Sequence, residues 1–250
     1  MPRTIVAGNW KMHKTARQTR EFLDAFLPLV AGRAGDVEIV VAPPYTSLEA
    51  ASAIIAGQHR VALGAQNVHW EASGAYTGEI SVPMLQEFGV RYAIVGHSER
   101  RAYAAELDRT VNLKVKALLA HGLVPIVAVG ETLAEREAGH TQERTTAQTR
   151  AALNGIDAGE LARVVLAYEP IWAIGTGQNC DPVEADRAMA AIRQCVEGLG
   201  EVPILYGGSM KPENVKAYME QPNINGGLVG GASLDPLGFA ALIERAAARA

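Results

Sequence analysis

Short, nearly continuous apolar runs alternate along this chain with longer stretches whose apolar residues recur at three- and four-residue spacing. The short runs cover residues 4–8, 37–42, 61–65, 92–95, 124–129, 164–168, 204–206 and 227–229. Runs that are apolar at nearly every position are expected of parallel strands covered on both faces. The stretches between them read as amphipathic helices. In Asp181-Pro182-Val183-Glu184, Asp181 can cap a helix, Pro182 fits its first position, and Glu184 completes a capping box. Ala185, Met189, Ile192, Val196 and Leu199 follow as one buried stripe. Asp235-Pro236 opens the last helix in the same way.

Eight strand–helix units share 250 residues, about 30 each, which is the size of one strand–helix–strand crossover. No Ser/Pro/Gly-rich linker divides them, so residues 1–250 are expected to form one domain. Eight parallel strands can close on themselves and remove both exposed edges. The expected fold class is therefore α/β, a single (β/α)8 barrel. An open doubly wound sheet is the competing architecture. The first strand lacks the Gly-x-Gly-x-x-Gly that a dinucleotide-binding version would carry.

Composition narrows the possibilities. Hydrophobic residues make up 48% of the chain, enough for a large core, and the formal net charge of −4 argues against nucleic-acid binding. It does not argue against a small anionic substrate, which local fields can hold. No apolar run approaches membrane-spanning length, and Thr4-Ile5-Val6 enters a strand so early that no signal peptide is expected. Cys180 and Cys195 suggest neither a disulfide framework nor a metal pair, and a cytoplasmic setting is the default expectation.

Barrel active sites lie at the C-terminal ends of the strands. There the chain offers Gly8-Asn9-Trp10-Lys11 after the first strand and Gly96-His97-Ser98-Glu99 after the fourth. Glu169 ends the sixth, Gly207-Gly208-Ser209 the seventh and Gly230-Gly231-Ala232-Ser233 the eighth. The two glycine pairs would let backbone N–H groups approach a phosphate, although tight strand–helix turns select glycine too. Lys11 would project over the mouth and stabilise a forming oxyanion, with Glu99 holding its ammonium; the alternative is an ordinary surface lysine. His97, just before a short helical turn, would stay neutral and donate a proton to a carbonyl oxygen, unless it serves only as a hydrogen-bonded structural residue. Glu169 is the leading candidate for a general base. Pro170-Ile171-Trp172-Ala173-Ile174 would cover it as an apolar lid ending in Gly175-Thr176-Gly177, where the glycines supply the far hinge. Its alternative role is pairing with a structural arginine.

Taken in order, Gly8–Lys11, Gly96–Arg100, Ala167–Gly177, Tyr206–Ser209 and Gly230–Leu234 resemble the triosephosphate isomerase family, and the likeness runs nearly the whole chain. The resemblance implies interconversion of dihydroxyacetone phosphate and glyceraldehyde 3-phosphate through an enediol(ate), with neither cofactor nor metal. It assigns Glu169 as the base and neutral His97 as electrophile and proton shuttle, the pairing for which this family is the standard worked example. Lys11 and Asn9 would stabilise the oxyanion. Ser209, Gly230, Gly231 and Gly175 would offer N–H groups to the phosphate, with Ser98 in support. Tyr206 and Ser209 would hold the closed lid, and Glu131 would touch Trp172 in the open one. A homodimer is also implied, with Thr77 reaching the partner's Asn9 and Glu99, Glu79 pairing with Arg100, and Gln66 belonging to the same interface. One departure is Ala128, where the family commonly has cysteine, a position expected to affect packing and not chemistry.

Two other readings compete. A Schiff-base aldolase would want an inner lysine where the sixth strand supplies Glu169, and a metal-dependent sugar phosphate enzyme would want more than one histidine at the strand ends. A non-catalytic phosphometabolite-binding barrel would be expected to have lost Glu169, Lys11 or His97, and all three are present.

Overall fold

The computed structural model describes residues 2–32, 34–175 and 178–248. The eight apolar runs form the strands β1 (Ile5–Asn9), β2 (Glu38–Ala42), β3 (Val61–Ala65), β4 (Tyr92–Val95), β5 (Val124–Val129), β6 (Val165–Tyr168), β7 (Ile204–Tyr206) and β8 (Gly226–Val229). All neighbours pair in parallel, and β8 returns to β1 to close the barrel. Around it lie α1 (Ala16–Val30), α2 (Leu48–Ile55), α3 (Val82–Glu87), α4 (Ser98–Tyr103), α5 (Asp108–Ala120) and α6 (Leu133–Glu137). The remaining helices are α7 (Thr141–Ala152), α8 (Ala158–Leu161), α9 (Pro182–Gln194), α10 (Val215–Met219) and α11 (Pro236–Ala247). The closed (β/α)8 architecture is thus the one the periodicity predicts.

Alternation along the strands divides the core in two. Ile5, Ala7, Val40, Ile94, Ile126, Ala128, Val165 and Leu205 fill the barrel interior. Their neighbours Val6, Val41, Val95, Val127, Val129 and Leu166 face outward and pack under the helices. This two-sided burial explains why the strands read as unbroken apolar runs. Ala128 sits fully buried in the inner layer, so the side chain at this position is a matter of interior packing.

Local signals at the helix ends are mostly realised. Asp181 accepts from the backbone N–H groups of Val183 and Glu184 at 2.9 and 3.3 Å, with Pro182 in the first turn of α9. The reciprocal half of the expected capping box does not form. Glu184 instead pairs with Arg187, 3.2 Å away and one turn on. The helix also ends at Gln194, earlier than its apolar stripe suggests. Val196 and Leu199 follow in the turn, where Leu199 is still fully buried. Asp235 caps α11 through the Gly238 N–H at 2.7 Å.

Candidate active site

β1 runs one residue further than its apolar pattern indicates, which puts Asn9 on the strand end and Lys11 just beyond it. Lys11 adopts the left-handed backbone region with φ of 51°, which a non-glycine residue enters at a cost of about 1–3 kcal/mol. Its surroundings hold it there. The Lys11 N–H donates to Asn9 Oδ1 at 3.1 Å, and Gln66 Nε2 donates to the Lys11 carbonyl at 2.8 Å and to that of Ala42 at 2.9 Å. The ammonium then meets Glu99 Oε1 at 2.5 Å, the pairing expected from sequence.

Glu169 follows β6 and remains tied to the sheet, its N–H donating to Val129 O at 2.8 Å. The side chain is 2% exposed. Oε1 lies 3.0 Å from His97 Nε2, and Oε2 accepts the Ser98 N–H at 2.9 Å. Burial pushes this carboxyl's pKa up, but the His97 imidazole, the Ser98 N–H and Lys11 together hold it below its ordinary value. The arginine partner considered as an alternative is not what holds it.

His97 caps α4 by accepting the Glu99 N–H on Nδ1 at 3.2 Å. That bond requires a lone pair on Nδ1, so it selects the tautomer with its proton on Nε2, facing Glu169. Burial lowers the imidazole's pKa, while the carboxylate of Glu169, aided by that of Glu99, raises it above the ordinary value. This raising depends on Glu169 resting where it does. The Glu99 N–H opposes it, and once the carboxylate moves away, burial favours the neutral ring.

Asn9, Lys11, His97 and Glu169 line one cavity of about 400 Å³ with Ile174, Gly175, Ser209, Gly230 and Gly231. The two glycine pairs on its wall are there for different reasons. A Cβ on Gly207 would stand 2.8 Å from Glu169 Cγ, and one on Gly208 would stand 2.2 Å from the Tyr206 hydroxyl. Around Gly231 there would be nothing within 4 Å, and around Gly230 only Lys11 Cε at 3.7 Å. The β7 pair is demanded by packing, whereas the β8 pair leaves backbone open to the cavity.

The segment expected to act as a lid begins at Pro170, continues through a 3-10 turn at Ile171–Ala173, and reaches Gly175 with φ of 71°. Thr176 and Gly177 lie outside the described residues. Trp172 Nε1 donates to Glu131 Oε1 at 2.9 Å, as expected of that pair, and Tyr168 OH donates to the same oxygen at 3.0 Å. Ser209 Oγ donates to Ala173 O at 3.1 Å. Among the described residues Tyr206 does not bond to the lid itself. Its hydroxyl accepts the Cys180 N–H at 3.3 Å and lies 3.3 Å from the Tyr218 hydroxyl, and Tyr218 donates to Cys180 O at 2.5 Å. The tyrosines therefore grip the chain beyond the lid.

Sequence reasoning missed several supports. Arg136 lies over the Trp172 ring, 4.3 Å from its centroid, and Tyr218 comes from a helix far along the chain. Buried Glu106 pairs with buried Lys114 and accepts the Gly96 N–H at 3.1 Å, bracing the turn that carries His97. None of these residues sits at a strand end, and only the fold brings them to the site. Thr77 and Glu79 are exposed on a long loop, and Arg100 is half-buried with Nε 3.8 Å from Glu106. Among the described residues no cluster of three or more His, Cys, Asp or Glu could hold a metal, and no helix is long and apolar enough to cross a membrane.

A closed parallel barrel with these groups gathered at the C-terminal ends of its strands defines a (β/α)8-barrel enzyme. The profile of the family described as triosephosphate isomerase matches residues 4–246. A triosephosphate isomerase of Symbiobacterium thermophilum is 53% identical over 249 residues, covering 97% of this chain and 96% of its own. Those of Moorella thermoacetica and of a Synechocystis species are each 50% identical, covering 98% of this chain and 99% of theirs. The chain belongs to the triosephosphate isomerase family and is an intramolecular isomerase.

Proposed function

We propose that the enzyme interconverts dihydroxyacetone phosphate and glyceraldehyde 3-phosphate, with Glu169 moving the carbon-bound proton. The observation that carries this reading is the placement of a carboxylate 2% exposed, 3.0 Å from an imidazole, in one cavity with Lys11 and the Gly230-Gly231 backbone. Glu169 leaves its bonds to His97 and Ser98 and takes a proton from C1 of the ketose. The C–H electron pair becomes the C1–C2 double bond, and the carbonyl oxygen gains the negative charge. Lys11 and Asn9 stabilise that charge, at about 4 kcal/mol for a cation about 4 Å away in an effective dielectric near 20. The His97 Nε2–H, no longer facing Glu169, carries a proton between the two oxygens. Glu169 then returns its proton to C2.

The phosphate would sit against Gly230, Gly231, Ser209 and Gly175, far enough from the reacting carbons to position the substrate. Pro170–Thr176 would shut over it, excluding water and limiting phosphate loss from the enediolate. Two further assignments belong to the same reading: a homodimer in which Thr77, Glu79, Arg100 and Gln66 meet the partner, and a cytoplasmic setting. The in-chain bonds of Gln66 to Lys11 and Ala42 add an internal reason for that residue. A coupled assay with glyceraldehyde 3-phosphate, run with and without chelator, tests the activity. Equal turnover in both is expected. Turnover that a chelator abolishes would favour a metal-dependent sugar phosphate enzyme instead. Sedimentation at micromolar concentration tests the dimer.

A further inference from the structure

A second cavity, of about 350 Å³, opens behind the lid between α6, α7 and α9. It is lined by Arg136, Arg187, Thr141, Gln142 and Glu184 over a floor that includes Tyr168. Arg136 is in no ion pair among the described residues. Its guanidinium carbon lies over the Trp172 ring, 4.3 Å from the centroid, and the five N–H donors of the group can serve another partner. Arg187 touches Glu184 through Nη1 at 3.2 Å and keeps further donors. With one carboxylate against two guanidiniums, the lining carries a net positive charge. Thr141 and Gln142 add neutral hydrogen-bonding groups beside the cations.

This chemistry fits a small oxyanion, because planar guanidiniums present paired N–H groups that match phosphate and carboxylate oxygens. The position matters as much as the charge. The indole that Arg136 covers is also bonded to Glu131, so Trp172 is gripped from two sides and must loosen if the lid is to move. An anion bonded to the Arg136 N–H groups would hold the guanidinium over the indole. It would thereby favour the present lid position over any other.

We propose that this cavity is an effector site for a small inorganic oxyanion of the size of phosphate, whose occupancy holds Trp172 in place and slows turnover. The kinetic part rests on the isomerase reading above. The binding part does not. The test is turnover at saturating triose phosphate against rising inorganic phosphate at constant ionic strength. Saturating substrate removes competition at the barrel mouth, so any loss of kcat reports a second site. The expected result is a saturable loss, about two-fold when half the sites are filled if filled enzyme is inactive. Arg187→Gln should abolish that loss while leaving unchanged both kcat without phosphate and the competitive rise in KM. A kcat indifferent to phosphate, or lowered equally in Arg187→Gln, overturns the proposal. Binding is read separately from the Trp172 indole N–H resonance in Glu169→Gln enzyme. Phosphate should shift it, and adding Arg187→Gln should remove the shift. A resonance that stays put, or moves equally in both, overturns the site even if the wild-type enzyme turns over no triose phosphate, a result that would sink only the isomerase reading.

Discussion

β7 and β8 end in nearly the same words, Gly207-Gly208-Ser209 and Gly230-Gly231-Ala232-Ser233, yet the two turns differ in what they do. At the end of β7 the glycines are absences that other groups occupy: Glu169 Cγ fills the place of one side chain, and the Tyr206 hydroxyl that of the other. At the end of β8 the glycines are absences left open, with backbone bordering the cavity. The serines diverge as well, Ser209 bonding the lid at Ala173 O and Ser233 closing back on Gly230 O at 2.7 Å. In the proposed reading the glycines of one turn serve the reacting end of the site and those of the other its anchoring end, with Ser209 reaching from the first turn to the second end. A repeated motif is therefore not a repeated function, and the next residues in space decide which role each copy takes.

The largest expected effect comes from the group that the β7 turn accommodates. Glu169→Gln keeps the shape and removes the base, so kcat should fall by about three orders of magnitude, within the range for general acid–base catalysis. Phosphate binding at the β8 end should be unaffected. Stopped assays for turnover and isothermal titration with an unreactive phosphate ester measure the two halves separately. Near-normal turnover would remove Glu169 from the reaction.

Gly207→Ala should come next. A methyl group 2.8 Å from Glu169 Cγ and 3.0 Å from Tyr168 O forces the carboxylate or the strand end to shift. A displacement near 1 Å at a reacting group costs about 100-fold in kcat. KM should change far less. Gly231→Ala reverses the pattern, because its methyl group meets no protein atom but enters the space assigned to phosphate. Weakening a hydrogen bond to a charged group by about 1.5 kcal/mol corresponds to a KM raised about ten-fold, with kcat and melting temperature unchanged. If the two alanine variants gave the same kinetic signature, the division between reacting and anchoring turns would be wrong.

The sequence showed the strands, their closure and the polar residues at their ends because each is written locally: an apolar run, then a charge or a glycine. Glu169 and Lys11 stood out for that reason. What stayed hidden depends on neighbours from elsewhere in the chain. The packing demand at Gly207 exists only because β6 lies beside β7 and delivers Glu169 there. Arg136 over Trp172 and Tyr218 on Cys180 join residues with no shared periodicity or spacing. The missing half of the box at Asp181 has a similar origin, since Glu184 had a nearer competitor in Arg187.

The smallest effect expected is on titration, and it tests whether the β7 turn truly holds Glu169 against His97. The carboxylate raises the His97 pKa while burial and the Glu99 N–H oppose it, so Glu169→Gln should lower that pKa, as read from the imidazole resonances. Gly207→Ala should lower it part of the way, and Gly231→Ala not at all. Stability should carry the same signature. A carboxyl whose pKa is depressed on folding contributes stability above its ordinary value of 4.5, lost as pH falls through the folded pKa. A histidine raised on folding contributes below its ordinary value of 6.5, lost as pH rises through its folded pKa. Both contributions are complete only between those values. The stability difference between wild type and Glu169→Gln should therefore peak in that window and shrink on either side, which melting curves across pH would reveal. A difference that did not vary with pH would mean that the 3.0 Å contact between imidazole and carboxylate has no electrostatic consequence.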